Sequence, residues 1–226
     1  MNFLGIETSS SVCSVAITND RGISIERNLI DSHIHSEKLL TLIEEVLEQA
    51  GESLRAVDAI AVSMGPGSFT GLRIGLSTAK GLCYALGREL IEVPTFDGVV
   101  AKVRESSPDA QKISVVLDAK QGEFYFGVFD RNKDSGSSSI KVEKMPLGLL
   151  PKNGFSGEKE TWITDRPDVL QSLGIRSGLI ADYISFCRGD AVARLGIEKY
   201  RINDFADLAS VEPAYLKDFV VKNAIS

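Results

Sequence analysis

Apolar and polar positions set out several elements along the first hundred residues. Phe3 to Glu7 reads as a strand, Thr8 to Ser11 as a turn, and Val12 to Thr18 as a second strand with Val15 and Ile17 on one face. Asn19-Asp20-Arg21-Gly22 is turn chemistry, and Ile23 to Leu29 supplies a third strand, so an antiparallel meander opens the chain. The period then changes. Leu39, Leu42, Ile43, Val46, Leu47 and Ala50 recur at spacings of three and four, which predicts a helix closed by Gly51 at its C-cap. Ala59 to Val62 is a short buried strand, residues 69 to 86 a helix, and Leu90 to Val93 a strand stopped by Pro94. The predicted order is βββαβαβ.

A meander followed by alternating helices and strands predicts an α/β protein, a mixed sheet flanked by helices as in ribonuclease H-like folds. A second meander starts at Ile113: a buried strand ending in Asp118, a turn, an aromatic-rich strand and another turn. It repeats the order of the first, with Asp118 in the place of Glu7. Two readings stay open: an internal duplication, as in the two phosphate loops of actin-like ATPases, or two unrelated hairpins. Residues 131 to 160, rich in Ser and Gly, read as a flexible excursion. Val169 to Leu173 and Leu179 to Arg194 have helical spacing, with Tyr183, Phe186, Ala191 and Leu195 as core contacts. Tyr215, Leu216 and Phe219 are expected to dock the terminal segment 213 to 220. The expected division is a first lobe of 1–98, completed by 212–226, and a second lobe of 99–211.

Composition narrows the classes. The 226 residues are 43% apolar and 25% charged, ordinary values for a globular protein, and the net charge is −6. No broad cationic face is expected for a nucleic acid backbone, so any contact with RNA should run through a partner. Nothing approaches the roughly 18 consecutive apolar residues of a membrane span, and no signal peptide is recognisable, so the expected location is cytoplasmic. Cys13, Cys83 and Cys187 are scattered and read as small buried residues.

The candidate chemistry centres on "SMGPGSFTGLRIG", residues 63 to 75. A Walker loop requires a lysine after its sixth position, and the dinucleotide fingerprint requires a third glycine where Thr70 stands, so neither template fits. Gly67, Gly71, Gly75 and Ala79 instead follow steps of four, one helix stripe without bulk. That stripe packs closely either within the fold or against a partner's helix, and Ser68 or Thr70 is the expected N-cap. Glu7, Thr8, Ser9 and Ser10 offer an acid and three hydroxyls but no glycine or lysine for phosphates, and no Gly-Gly pair occurs for an adenosine. His33 and His35 share a face on an extended segment, yet lack a third ligand; they read as polar residues before a helix capped by Ser32 or Ser36, and no metal is expected. A peptidase finds no support, with neither a metal triad nor a positioned base.

"LGIETSS", "AVSMGPGSFTGLRIGLSTAKGL", "LDAKQGEFY" and "PAYLK" together resemble the TsaB (YeaZ) family, bacterial paralogues of TsaD in the actin-like ASKHA superfamily. The resemblance spans nearly the whole chain, though residues 131 to 166 match poorly and Lys217 stands where many relatives have arginine. It implies two actin-like lobes and a part in making threonylcarbamoyladenosine at position 37 of tRNA. In that system TsaD is the transferase, with an H-x-x-x-H metal motif this chain lacks. The TsaB-like subunit is implied to be a scaffold and activator without catalytic residues. It binds the TsaD-like transferase as a heterodimer, supports recruitment of a TsaE-like ATPase, and forms a homodimer when alone. Carried over, the interface comprises the first two helices, with Leu39, Leu42, Ile43, Val46, Gly67, Phe69, Gly71, Leu72, Gly75 and Ala79. Glu7, Thr8, Ser9, Ser10 and Asp118 remain as possible vestigial nucleotide contacts; no cofactor is required, and weak ATP or ADP binding is allowed for. The alternative is an ATPase or phosphotransferase acting on its own through Glu7 and Asp118.

Overall fold

The computed structural model describes residues 1–31, 34–131, 143–146, 160–175 and 180–214. Its elements are β1 (Asn2–Glu7), β2 (Val12–Asn19), β3 (Ser24–Ile30), α1 (His35–Ala50), β4 (Ala59–Ser63), α2 (Phe69–Leu86), β5 (Glu89–Val93) and α3 (Thr95–Ser106). There follow β6 (Lys112–Lys120), β7 (Glu123–Asp130), β8 (Glu143–Pro146), β9 (Glu160–Thr164), α4 (Pro167–Ser172), β10 (Ile180–Asp182) and α5 (Gly189–Arg201), with 3-10 turns at Leu54–Ala56 and Tyr183–Ser185.

The strands form two five-stranded sheets, β3-β2-β1-β4-β5 and β8-β7-β6-β9-β10. In each, the central strand is antiparallel to the next strand in sequence and parallel to the strand on its other side. Ile6 faces Val15 across β2 and Val62 across β4; Val116 faces Phe126 across β7 and Thr164 across β9. The two sheets therefore repeat one topology, with Glu7 and Asp118 near the same end of equivalent strands.

Burial of apolar stripes explains the layers. Helices α1 and α2 cover one face of the first sheet, where Leu4, Ile6, Val15 and Ile17 meet Leu39, Leu42, Val46, Leu76 and Cys83. Helix α5 covers the other face, with Val192, Ala193 and Ile197 against Phe3, Ala61 and Ile91. On the second sheet, Phe96, Val99 and Val103 of α3 pack on Ile113, Val115 and Tyr125, while Val169 and Leu170 of α4 pack on Val116 and Trp162.

Four features differ from the sequence reading. Pro94 does not merely stop β5; it is the N-cap of α3, as its fixed φ suits a helix start. The stretch 179 to 194 is not one helix. Ile180–Asp182 pairs in parallel with β9, Asp182 caps a 3-10 turn by accepting from the Ile184 N–H at 3.3 Å, and α5 starts only at Gly189. The chain also returns to the first sheet earlier than 212: besides α5, the Ala206 N–H donates to Leu90 at 2.9 Å and Lys80 Nζ to the Val211 carbonyl at 3.3 Å. Helix α1 begins with Ile34 as N-cap and no side-chain cap, so Ser36 lies inside it. Ser32, His33, Tyr215, Leu216, Lys217, Phe219 and most of the 131 to 160 excursion lie outside the described residues.

Candidate functional site

The glycine corner follows β4. Gly65 adopts φ 112°, a left-handed conformation that glycine tolerates, and its N–H donates to Thr95 Oγ1 at 2.9 Å. Ser68 caps α2, its hydroxyl accepting from the Gly71 N–H at 3.2 Å. The β1–β2 turn lies directly on this helix. The Ser68 N–H donates to the Ser9 carbonyl at 2.6 Å, and Thr8 Oγ1 donates to the Gly71 carbonyl at 2.8 Å. A Cβ at Gly67 would overlap the Ser9 carbonyl, one at Gly71 the Thr8 carbonyl, and one at Gly75 the Thr8 hydroxyl. Of the two packing explanations for the stripe, the structure selects the internal one: the glycines admit the chain's own first turn, and Ala79 is buried in the first core. No partner's helix can occupy that space.

Thr8 and Ser9 are buried by this contact, while Glu7, on the face of the sheet turned away from α2, is buried beside Ser63, Tyr183 and Cys187. Glu7 Oε1 accepts from the Ser9 N–H at 2.6 Å. Burial pushes the Glu7 carboxyl above its ordinary range, against the opposing pull of hydrogen bonds with Ser9 and Ser63. Ser10 Oγ is spent on the Val12 N–H at 3.1 Å. Beneath the turn, Ser9 Oγ and the Tyr183 hydroxyl are buried and make no hydrogen bond of ordinary geometry. The turn is thus directed inward, with its acid held by its own backbone.

At the second hairpin, Asp118 accepts from the Lys120 N–H at 2.7 Å and pairs with Lys120 Nζ at 3.3 Å and Arg166 Nη1 at 3.4 Å. Partial burial pushes its carboxyl up, but the Lys120 hydrogen bonds and the charges of Lys120 and Arg166 outweigh it and hold it below the usual range. The Asp118 N–H donates to Asp165 Oδ1 at 3.0 Å. Lys120, Gln121 and Gly122 all have positive φ, a tight turn that places Lys120 back over the acid. Sequence reasoning missed Asp165 and Arg166. Their signal was a charged "TDRPD" at the end of β9, the strand equivalent to β4.

Most of the anticipated interface positions on the first two helices are buried within the chain itself, which is a correction for those residues. Leu39, Leu42, Ile43 and Val46 are buried in the first core, because the apolar stripe of the helix turns toward its own sheet, and Leu72 is buried beside Gly65. Phe69 is half-buried, with the Arg73 guanidinium 3.9 Å over its ring. The outer faces carry other residues. On α1 these are Leu40, 58% exposed, with Thr41, Glu44, Glu45 and Glu48; on α2 they are Arg73, Ser77, Gly81 and Tyr84, the last 87% exposed.

His35 is buried, its Nε2 3.2 Å from the Val12 carbonyl. Among the described residues no three His, Cys, Asp or Glu side chains gather as a metal site, and no helix is long and apolar enough to cross a membrane. Cys13, Cys83 and Cys187 are free and buried; burial pushes the Cys13 and Cys83 thiols up to about 12.

Two lobes of one repeated topology, joined by chain crossings before β6 and before α5, define a two-lobed α/β protein in which each lobe is a mixed sheet flanked by helices. YeaZ from Pseudomonas aeruginosa has this fold, with a TM-score of 0.79 at 22% identity over 95% of this chain and 99% of that one. The family model for TsaD, tRNA N6-adenosine threonylcarbamoyltransferase, matches residues 29–161. The tRNA threonylcarbamoyladenosine biosynthesis protein TsaB of Escherichia coli (strain K12) is 33% identical over 187 residues, covering 80% of this chain and 78% of that protein. TsaB of Haemophilus influenzae is 32% identical over 133 residues, covering 59% and 56% respectively. The chain belongs to the TsaB (YeaZ) family.

Proposed function

We propose that this protein is a non-catalytic subunit in tRNA threonylcarbamoyladenosine biosynthesis that binds a TsaD-like transferase. Family membership supplies the pathway. The observation that favours a scaffold over an enzyme is the state of the two acids: Glu7 is buried and held by the Ser9 N–H, and Asp118 is neutralised by Lys120 and Arg166. Phosphoryl transfer depends on an acid free to hold magnesium and on donors aimed at phosphate, and neither hairpin offers that arrangement.

The outward surface of α1 and α2 is the docking face in this reading. Leu40 and Tyr84 are large apolar side chains held out on rigid helices, the kind of residue that anchors an interface, and the exposed Glu44 and Glu48 call for a basic counterpart, Glu45 being 3.9 Å from Arg27. A homodimer of the isolated chain would compete for this face, and a TsaE-like ATPase would join the assembled pair. Contact with tRNA then runs through the complex, in keeping with a net charge of −6.

The test is size-exclusion co-elution with the TsaD-like partner, alongside a tRNA modification assay. Tyr84→Glu and Leu40→Glu should keep the circular dichroism of the parent, weaken the complex by about tenfold or more, and lower modification in parallel. If both bind the partner normally, the docking face lies elsewhere.

A further inference from the structure

The first turn of α5 gathers charged groups from three elements. The Asp190 side chain is 7% exposed, and its Oδ2 accepts from Lys102 Nζ at 2.7 Å and Arg194 Nη2 at 3.4 Å. Glu105 completes this charged group, 3.0 Å from Lys102 and 3.8 Å from Arg194. Asp190 Oδ1 is buried and has no hydrogen-bond partner among the described residues.

Glu26 of β3 lies against it. Glu26 Oε1 accepts from the Asp190 N–H at 3.0 Å and the Ser14 hydroxyl at 3.2 Å, and Oε2 accepts from Asn28 Nδ2 at 2.9 Å. Ser14 Oγ in turn accepts from the Gly189 N–H at 2.7 Å. Of the other cations nearby, Arg27, next along β3, donates Nη1 to the Glu26 backbone carbonyl at 3.2 Å and turns to Glu45 at 3.9 Å, and Arg188 spends Nη1 on the Cys187 carbonyl at 3.3 Å. The lysine and arginine of the cluster thus serve Asp190 and Glu105, while Glu26 is served by neutral donors only. Two ionised carboxylates in one buried site are unstable, and the member without a cation is the one that keeps a proton. Burial, with the Asp190 charge adding to it, pushes the Glu26 carboxyl up against the pull of Asn28 and the Asp190 N–H.

We infer that Glu26 donates a hydrogen bond to Asp190 Oδ1, and that this carboxyl–carboxylate pair latches the start of α5 to β3 and, through Lys102, to α3. Because α3 packs on the second sheet and α5 on the first, the latch ties the two lobes. It loosens with rising pH. An opened Glu26 has the ordinary acid range and a latched one a higher range, so the opening constant rises about tenfold per pH unit between the two and is level above.

The test is amide hydrogen exchange of the first turn of α5 from pH 5 to 9, read as protection factors. In the parent, protection of the Asp190 and Val192 amides should fall about tenfold per pH unit over part of that range. In Glu26→Gln it should be flat, since the carboxamide donates to Asp190 Oδ1 at every pH. Parallel profiles in the two proteins overturn the inference. Carbon-13 titration of the Glu26 carboxyl in the parent tests it without any variant, and an ordinary midpoint near about 4.3 overturns it equally.

Discussion

Burial of Glu7 has two consequences. It removes the carboxyl from any ligand, and by raising its pKa it makes stability depend on pH. The folded protein holds the Glu7 proton above the pH at which the unfolded chain releases it. Its penalty is therefore absent below the unfolded pKa and grows with pH up to the folded one, by about 1.4 kcal/mol per unit. Glu7→Gln removes that penalty. In urea titrations at pH 5 and pH 8 the variant should gain on the parent as pH rises; an advantage that does not change with pH would mean that Glu7 is ionised in the fold. That an acid ends the first strand was legible in the sequence. That it is buried was not, because its burial depends on Tyr183 and Cys187, which reach it from far along the chain.

At the scale of elements, α2 has two faces with opposite demands on glycine. Gly71 meets the Thr8 carbonyl, whereas nothing lies within 4 Å of a Cβ at Gly81. Gly71→Ala should destabilise by about 1–3 kcal/mol, since backbone and turn have to separate. Gly81→Ala should stabilise by about 0.5–1 kcal/mol, as glycine is a poor helix residue and the site is open. Thermal melts of the two variants check both signs, and a harmless Gly71→Ala would remove the account given for the corner. The periodicity of α1 and α2 was readable because an amphipathic helix repeats locally. Periodicity marks the apolar stripe, however, and that stripe belongs to the sheet. The outward residues Leu40 and Tyr84 were visible only once the sheet was placed. Likewise the apolar spacing across 179 to 194 mixes a strand, a turn and a helix, and only the pairing of β10 with β9 separates them.

For the molecule as a whole, phosphoryl transfer needs charged and hydrogen-bonding groups aimed together at one nucleotide and its metal. Here one hairpin is closed and the other is locked in ion pairs, so ATP turnover by the isolated chain should stay at background in a steady-state assay with magnesium. Turnover lost on Asp118→Asn would reverse the scaffold reading and favour an enzyme. The same two-lobed build explains why the return of the chain at α5 matters: the lobes are held by contacts between residues far apart in sequence, Ser14 with Gly189 and Lys102 with Asp190 among them.

The sequence by itself determined the strands and helices up to β5, the likeness of the two hairpins, an N-cap at Ser68 or Thr70 and the family, since these rest on local periods, turn chemistry and contiguous motifs. Only the tertiary structure decided which face each helix turns outward, what the glycines admit, and which charges meet at Asp118 and Asp190. Those are contacts between segments distant along the chain, and burial and charge pairing act on distance in space, which no local pattern encodes.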